Sequence, residues 1–330
     1  MGIYNEQGES VGEPQMCVMP PQDKPETHGA RSKAHKQVQY TDMVFVVGGW
    51  TTDDPTSRVE RYNMLLNEWK VMAPMRTHKS NMAVATLGNL IYTVGGDDGV
   101  SCVSSVERYD PRANSWSSDV ASLSSARRRV GLAAMDGYLF ALGGHDGLIC
   151  TNVVERFDPQ VNMWFKVAPM HCRRVGAAVA VIGGYLYVLG GSDGDAPLNS
   201  VERYNPLEDC WTACPAMGSW RENAGCTVFQ GQIYVAGGRD EIQELNTVER
   251  FDPQTFSWSP VKPMTCKRNR VALVGMNEFL LAAGGFDGIT DLKTVEVYNF
   301  ETNTWRHFGS MKWKHPGGGI GVVKMEQTYL

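Results

Sequence analysis

The chain has 330 residues, of which 42% are hydrophobic and 20% are charged, and its formal net charge is −5. This composition is ordinary for a globular protein, and it argues against nucleic acid or an anionic membrane as a partner, because both bind strongly basic faces. No apolar run approaches the ~18 residues of a membrane span, and the first residues show no secretory signal pattern.

Residues 1–39 differ in composition from the rest of the chain. They are rich in Glu, Gln, Pro, Lys and Gly, poor in aromatic residues, and without any hydrophobic period. Such a segment cannot bury enough apolar surface to fold alone. We therefore predict a disordered leader at 1–39, a single folded domain at 40–326 and a short tail at 327–330.

From residue 48 onward a pair of glycines recurs six times, at spacings of 47, 48, 47, 47 and 47 residues. The pairs begin at Gly48, Gly95, Gly143, Gly190, Gly237 and Gly284. A tryptophan follows the second glycine of each pair by 20 residues, at Trp69, Trp116, Trp164, Trp211, Trp258 and Trp305. A fixed period of this length indicates a repeat architecture.

Each repeat shows the pattern of four short strands. An apolar strand such as 90–94 ends at the glycine pair, and a Val-Glu-Arg-aromatic strand such as 106–109 follows it. After a turn comes the strand with the tryptophan, and then a Pro-Met element, a basic loop and a strand of small apolar residues. Four strands in about 47 residues make one propeller blade. The sequence therefore predicts an all-β fold, a six-bladed β-propeller.

The two ends of the domain complete one blade. The first glycine pair comes eight residues after Tyr40, so the first repeat has no small-residue strand before it. Such a strand stands unpaired at the other end, at 320–323 after three glycines. We predict that 320–323 pairs with 43–47, which closes the ring and removes the exposed strand edges.

The glycine pair, the Glu-Arg element and the tryptophan together resemble the kelch repeat, and the resemblance covers about residues 40–325. The repeats are similar to those of the kelch-like family, in which a BTB domain and a BACK domain precede the propeller. In that family the propeller captures a substrate while the BTB domain engages a cullin-RING ubiquitin ligase. The 330 residues contain no BTB or BACK sequence.

Positions that recur in every repeat are expected to hold the scaffold. We predict that the tryptophans fill the wedges between blades and that the Glu-Arg pairs brace neighbouring strands. Val297 replaces the arginine in the sixth repeat, so we expect that brace to be absent there. A basic column is also assigned to the scaffold, as a set of donors to carbonyls or carboxylates between blades: Lys79, Arg127, Arg174, Arg221, Arg268 and His315.

Positions that vary between repeats on the loops of one face are the candidate binding residues. By analogy with peptide-binding kelch propellers, three such columns are expected at the mouth of the central channel. The first column follows the glycine pairs and comprises Trp50, Asp97, His145, Ser192, Arg239 and Phe286. The second and third columns are Ser80, Arg128, Val175, Glu222, Asn269 and Pro316, and Asn81, Arg129, Gly176, Asn223, Arg270 and Gly317.

From these columns we predict one protein-binding face. Its residues are Trp50, Asn81, Arg128, Arg129, His145, Glu222, Asn223, Arg239, Asn269, Arg270 and Phe286. Aromatic and arginine side chains are typical of binding hot spots, and the arginines suit the carboxylates of an acidic client peptide.

The leading hypothesis is a substrate-recognition propeller of a kelch-like ubiquitin-ligase adaptor. It would reach the cullin-RING ligase only through a BTB domain outside this sequence. The alternative is an actin-associated scaffolding protein. The discriminating observations are an upstream BTB-coding region and co-sedimentation with filamentous actin.

The sequence predicts no enzyme and no cofactor. The seven histidines and eight cysteines show no metal-ligand spacing, and Gly317–Gly319 lacks the Lys-Ser/Thr that follows in nucleotide-binding loops. In a chain of this length without a secretory signal, we expect reduced thiols and a cytoplasmic location.

Overall fold

The structure, a computed structural model, describes residues 39–326 except Thr52 and Asn277. The predicted leader up to residue 38 and the predicted tail lie outside the described residues. Within them the chain forms 24 strands, arranged in six antiparallel sheets of four. No helix in this part of the chain is long and apolar enough to cross a membrane.

The first three blades follow the repeats in order. Blade 1 has the strand order β24-β1-β2-β3 and consists of β1 (Tyr40–Val47), β2 (Val59–Asn63), β3 (Glu68–Val71) and β24 (Gly319–Glu326). Blade 2 consists of β4 (Ala83–Leu87), β5 (Leu90–Val94), β6 (Val106–Asp110) and β7 (Ser115–Ser117). Blade 3 consists of β8 (Gly131–Met135), β9 (Tyr138–Leu142), β10 (Val154–Asp158) and β11 (Met163–Val167).

The other three blades repeat the same plan. Blade 4 consists of β12 (Ala178–Ile182), β13 (Tyr185–Leu189), β14 (Val201–Asn205) and β15 (Cys210–Cys214). Blade 5 consists of β16 (Gly225–Phe229), β17 (Gln232–Ala236), β18 (Val248–Asp252) and β19 (Ser257–Val261). Blade 6 consists of β20 (Ala272–Met276), β21 (Phe279–Ala283), β22 (Thr294–Asn299) and β23 (Thr304–Ser310).

The blades form a closed ring in chain order. The innermost strands β24, β4, β8, β12, β16 and β20 each contact the next, and β20 contacts β24 again. The predicted all-β, six-bladed propeller is therefore confirmed. Blades 2 and 3 lie across the ring from blades 5 and 6, and blade 1 lies across from blade 4.

The predicted closure of the ring is also confirmed. Strand β24 pairs antiparallel with β1, and the register places Val323 opposite Met43 and Ile320 opposite Val46. The ladder continues beyond the predicted segment as far as Tyr40 opposite Glu326. The two ends of the domain are thus joined by a continuous strand pair, so β1 is not left as the edge strand of an incomplete blade.

Aromatic side chains fill the wedges between blades, as predicted. Trp116 packs on Tyr109 of its own blade, with ring centroids 5.0 Å apart, and its indole N–H donates to the carbonyl of Ala73 in the preceding linker at 2.9 Å. Tyr109 in turn contacts Phe45 of blade 1. The same indole bond recurs at Trp164, Trp211, Trp258 and Trp305. Truncating such a residue to alanine is expected to destabilise the fold by about 3–5 kcal/mol.

The basic column is a scaffold element, as predicted, and Arg174 shows how it works. Its guanidinium is buried and donates to the carbonyls of Gly190 and Ser200 and to the carboxylate of Glu202 in blade 4. Its own carbonyl accepts from Gly144 of blade 3. A Cβ on Gly143, whose φ is +58°, would lie 2.2 Å from that carbonyl. The glycine pair is therefore needed for the close approach of two blades.

The prediction that the brace is absent from blade 6 was wrong, because the glutamate of each Glu-Arg pair forms the brace. Each glutamate pairs with the basic column, not with the arginine next to it, because adjacent residues of a strand point to opposite faces of the sheet. The pairs are Glu60–His315, Glu107–Lys79, Glu155–Arg127, Glu202–Arg174, Glu249–Arg221 and Glu296–Arg268. The brace is therefore present in blade 6 in spite of Val297.

Because successive strands of a blade run in opposite directions, the connections between them lie on two opposite faces of the propeller. The glycine pairs, the loops that follow them and the linkers between blades lie at one end of the strands, which we call the loop face. The tight turns that join the first strand of a blade to the second, and the third to the fourth, lie at the other end, which we call the turn face.

Candidate protein-binding face

The third candidate column surrounds the channel mouth, and backbone hydrogen bonds join five of its six neighbouring pairs. All six residues have left-handed φ values between +51° and +68°: Asn81, Arg129, Gly176, Asn223, Arg270 and Gly317. Five backbone bonds of 2.7–2.9 Å link the ring, each joining the N–H of one residue to the carbonyl of the residue one blade before it. Because this geometry fixes the backbone, the blades differ here only in their side chains.

These six residues surround a small cavity in the channel. Its volume is about 140 Å³, and its walls combine the third column with the residues that directly precede the inner strands. A cavity of this size holds a side chain or a few water molecules and not a folded element. Any larger partner must therefore lie across the mouth.

The first and second columns form the next layer outward. His145 and Arg128 exchange two backbone hydrogen bonds of 3.0 Å, N–H to carbonyl in both directions. Equivalent bridges join Ser80 with Asp97, Val175 with Ser192, Glu222 with Arg239, and Asn269 with Phe286. Each predicted loop residue is therefore held by the scaffold beside its neighbour from the adjoining column.

Arg129 lies across the cavity and is already paired. Its guanidinium donates to the amide oxygen of Asn223 at 2.7 and 3.1 Å and to the carboxylate of Glu222, two blades away. The side chain passes over Gly176, where a Cβ would lie 2.4 Å from the Asn223 oxygen and 2.8 Å from Arg129 itself. The absence of a side chain at residue 176 is therefore what allows this bridge.

Arg270 faces the same cavity without such a pairing. Its side chain is exposed to the channel, and no hydrogen bond or ion pair of its guanidinium is found among the described residues. The channel walls desolvate it, and together with the nearby Arg129 they lower the pKa of the Arg270 guanidinium. Arginine stays protonated even so, so Arg270 offers the mouth a charged guanidinium whose donors form no direct bond within the described residues.

Two further arginines lie in the outer layer, each beside a carboxylate. Arg128 is bonded to Asp97 at 3.0 Å, and Arg239 lies 4.0 Å from Glu244. Both side chains remain almost half exposed, so each keeps donors for a ligand.

The remaining predicted residues differ in accessibility. Trp50, His145 and Phe286 are half-buried, and the ring nitrogen Nδ1 of His145 accepts from the N–H of Gly147. Asn81 is half-buried in the cavity wall. Asn269 is buried, so a partner on the surface would not reach it directly.

The sequence reasoning missed one column on this face. Four residues after the second glycine of each pair, the loop reaches its tip, and we call these positions the tip column: Asp53, Val100, Leu148, Asp195, Ile242 and Ile289. The four aliphatic tips are 86–94% exposed. An apolar residue at a constant position among Asp, Gly and Ser was the signal for them in the sequence.

The described residues offer no metal centre. No group of three or more His, Cys, Asp and Glu side chains within this part of the chain lies close enough to hold a metal ion. The seven cysteines between residues 39 and 326 are free thiols.

A sequence model of the KLHDC2/KLHL20/DRC7 Kelch-repeats domain matches this chain twice, over residues 34–219 and 133–319. The chain belongs to this Kelch-repeat family. The predicted kelch-repeat propeller is therefore confirmed, and a kelch propeller is a protein-binding module. The two matches start about two repeats apart, as expected for a kelch array.

A solved structure, titled "Structure of YjhT", resembles this kelch propeller with a TM-score of 0.68 and 12% sequence identity. The likeness covers 79% of this chain and 96% of that chain. At this identity it shows the fold alone.

Proposed function

We propose that the loop face binds a client protein through an acidic segment. The main support is that the guanidinium of Arg270 faces the channel cavity and forms no hydrogen bond or ion pair with the described side chains. A carboxylate inserted at the mouth would meet its donors in a site partly shielded from water, where charge-assisted bonds are strong.

The neighbouring groups favour the same ligand. The exposed edges of Arg128 and Arg239 add N–H donors to the rim, while the bridge from Arg129 to Asn223 fixes the floor of the cavity. Because the backbone ring already holds these residues in place, binding would order few side chains, which lowers its entropic penalty.

We further propose that the propeller is the substrate-recognition module of a kelch-like adaptor for a cullin-RING ubiquitin ligase in the cytoplasm. The support is the kelch-repeat family and the similarity of the repeats to kelch-like proteins. A BTB domain outside this sequence would have to supply the contact with the ligase.

The test is affinity purification of the propeller followed by mass spectrometry. Wild type is compared with a variant carrying Arg129→Ala, Arg270→Ala and Phe286→Ala, after circular dichroism has shown that the variant is folded. Partners lost only in the variant would place the binding site on the loop face and name the client. A cullin-RING subunit recovered with a BTB-containing form would support the ligase role.

Identical partner lists from the two proteins would contradict the proposed site. Co-sedimentation of the wild type, but not the variant, with filamentous actin would assign the loop face to a cytoskeletal role instead.

A further inference from the structure

The tip column carries a pattern that follows the ring. Its aliphatic members lie in blades 2, 3, 5 and 6, at Val100, Leu148, Ile242 and Ile289. Its two aspartates, Asp53 and Asp195, lie in blades 1 and 4. Since blades 2 and 3 lie across the ring from blades 5 and 6, two apolar arcs face each other over the channel mouth, and the two acidic tips lie on the other diameter.

The aliphatic tips are presented by a recurring local structure. In each of the four loops an aspartate two residues before the tip accepts the N–H of the tip residue at 2.8–2.9 Å and that of the next residue at 2.8 Å. The tip backbone is therefore satisfied, and the side chain points away from the loop into solvent. A single exposed aliphatic residue needs no explanation, but four at the same position of a rigid loop do.

The arc of blades 5 and 6 contains a pocket with two apolar side chains in its wall. Trp220, about half exposed in the linker that leads into blade 5, lines a pocket of about 430 Å³ with Ile242, Asp240 and Glu241. A partly exposed tryptophan beside an aliphatic residue is the type of surface that anchors an apolar side chain in an interface.

We propose that the occupant is a client segment with an acidic side chain at its centre and an apolar side chain on each side, lying across the mouth from blades 2 and 3 to blades 5 and 6. This inference rests on the proposed function, since the central carboxylate is the group that Arg270 would bind. Charge complementarity at Arg270 favours the central carboxylate, and the tips set the direction, because the other diameter ends in Asp53 and Asp195, which offer no apolar contact.

The test uses a phage library of random 16-residue peptides, selected on four forms of the propeller. The tip variant carries Val100→Ser, Leu148→Ser, Ile242→Ser and Ile289→Ser, and the centre variant carries Arg128→Ala and Arg270→Ala. The matched control carries Leu65→Ser, Leu66→Ser and Leu207→Ser, since these exposed leucines lie in tight turns on the turn face. All the substituted tip and control leucines, isoleucines and valine are more than half exposed, so folding is expected to be unchanged.

We expect wild-type selections to enrich peptides with Asp or Glu flanked on both sides by apolar residues. In fluorescence polarisation, the best such peptide should bind the tip variant about 100-fold more weakly, at about tenfold for each arc that loses its apolar contact. It should bind the control within about twofold of wild type. The centre variant should select peptides without the acidic position.

Three results would overturn the inference. If the peptide is lost by the centre variant but retained by the tip variant, the proposed binding face stands and the role of the tips fails. If no enriched peptide depends on either set of residues, both proposals fail. If the wild type, but not the tip variant, instead binds vesicles of phosphatidylserine or forms dimers in sedimentation, the apolar tips serve a membrane or a second copy.

Discussion

Arg268 and Arg270 lie two residues apart in the same linker, yet their surroundings are opposite. Arg268 is buried, and its guanidinium donates to Glu296 and to the carbonyls of Gly284 and Thr294. Arg270 faces the channel without a partner among the described residues. The basic column inside the wall is nearly uniform in all blades, whereas the column at the mouth holds asparagine, arginine and glycine. Recurrence within the chain therefore separates the arginines that hold the ring from those available to a ligand.

The strongest test of this difference is to remove each charge separately. Arg268→Met should lower the free energy of unfolding by about 3–5 kcal/mol, because it leaves Glu296 buried without its partner. Arg270→Met should change it by less than about 0.5 kcal/mol, because no internal bond is lost. Urea denaturation of both variants checks this, and equal effects would remove the distinction between the two columns.

The bridge over residue 176 is the second target. Gly176→Ala should destabilise the fold by about 2 kcal/mol, from a left-handed alanine and from the displaced bond between Arg129 and Asn223. Gly317→Ala is the matched control, since its φ of +68° carries the same backbone penalty while its Cβ would approach Asn81 and not the bridge. If the two alanine variants unfold at the same urea concentration, the bridge contributes nothing to stability.

The sequence predicted the ring better than it predicted the mouth, and the reasons are physical. A glycine pair and a tryptophan are required wherever two blades approach, so their period is visible in the sequence. The bridge between Arg129 and Asn223 joins residues 94 positions apart and depends on an absent side chain between them. No local pattern reports such a contact.

Two other features were not predicted for different reasons. The brace at Glu296 was missed because its partner, Arg268, lies 28 residues away in the sequence. The prediction had instead depended on the adjacent residue, Val297. The aliphatic tips were missed because an apolar residue normally indicates the core, and only the loop geometry shows that Ile289 is exposed.

A smaller effect is expected where the basic column departs from arginine. Lys79 contacts Glu107 at 3.2 Å and Ser105 at 3.4 Å, whereas arginine at this position in blades 3–6 also binds two carbonyls. Lys79→Arg should therefore stabilise the protein by about 1 kcal/mol. A loss of stability in chemical denaturation would show that blade 2 has no room for the larger group.

The smallest expected effect is the contribution of Lys79 to the pH dependence of the free energy of unfolding. Burial lowers the pKa of Lys79 below its ordinary value of 10.5. Between the two pKa values the unfolded chain binds more protons than the folded one, so this group makes stability rise with pH. Arginine does not titrate there, so the advantage of Lys79→Arg over wild type should shrink as the pH rises towards 10.5. The measurement is the difference in free energy of unfolding between the two proteins at each pH, in which the contributions of all other titrating groups cancel. A difference that does not change with pH would contradict the lowered pKa of Lys79.

The central claim, that clients bind the loop face, is tested most directly by photo-crosslinking in cells. A benzoylphenylalanine replaces Phe286 on the loop face or, in a matched protein, the exposed Leu207 on the turn face. The account predicts a client adduct from residue 286 that disappears when Arg270→Ala is added, and none from residue 207. Adducts from residue 207, or an adduct from residue 286 that persists when Arg270→Ala is added, would contradict client binding at the loop face.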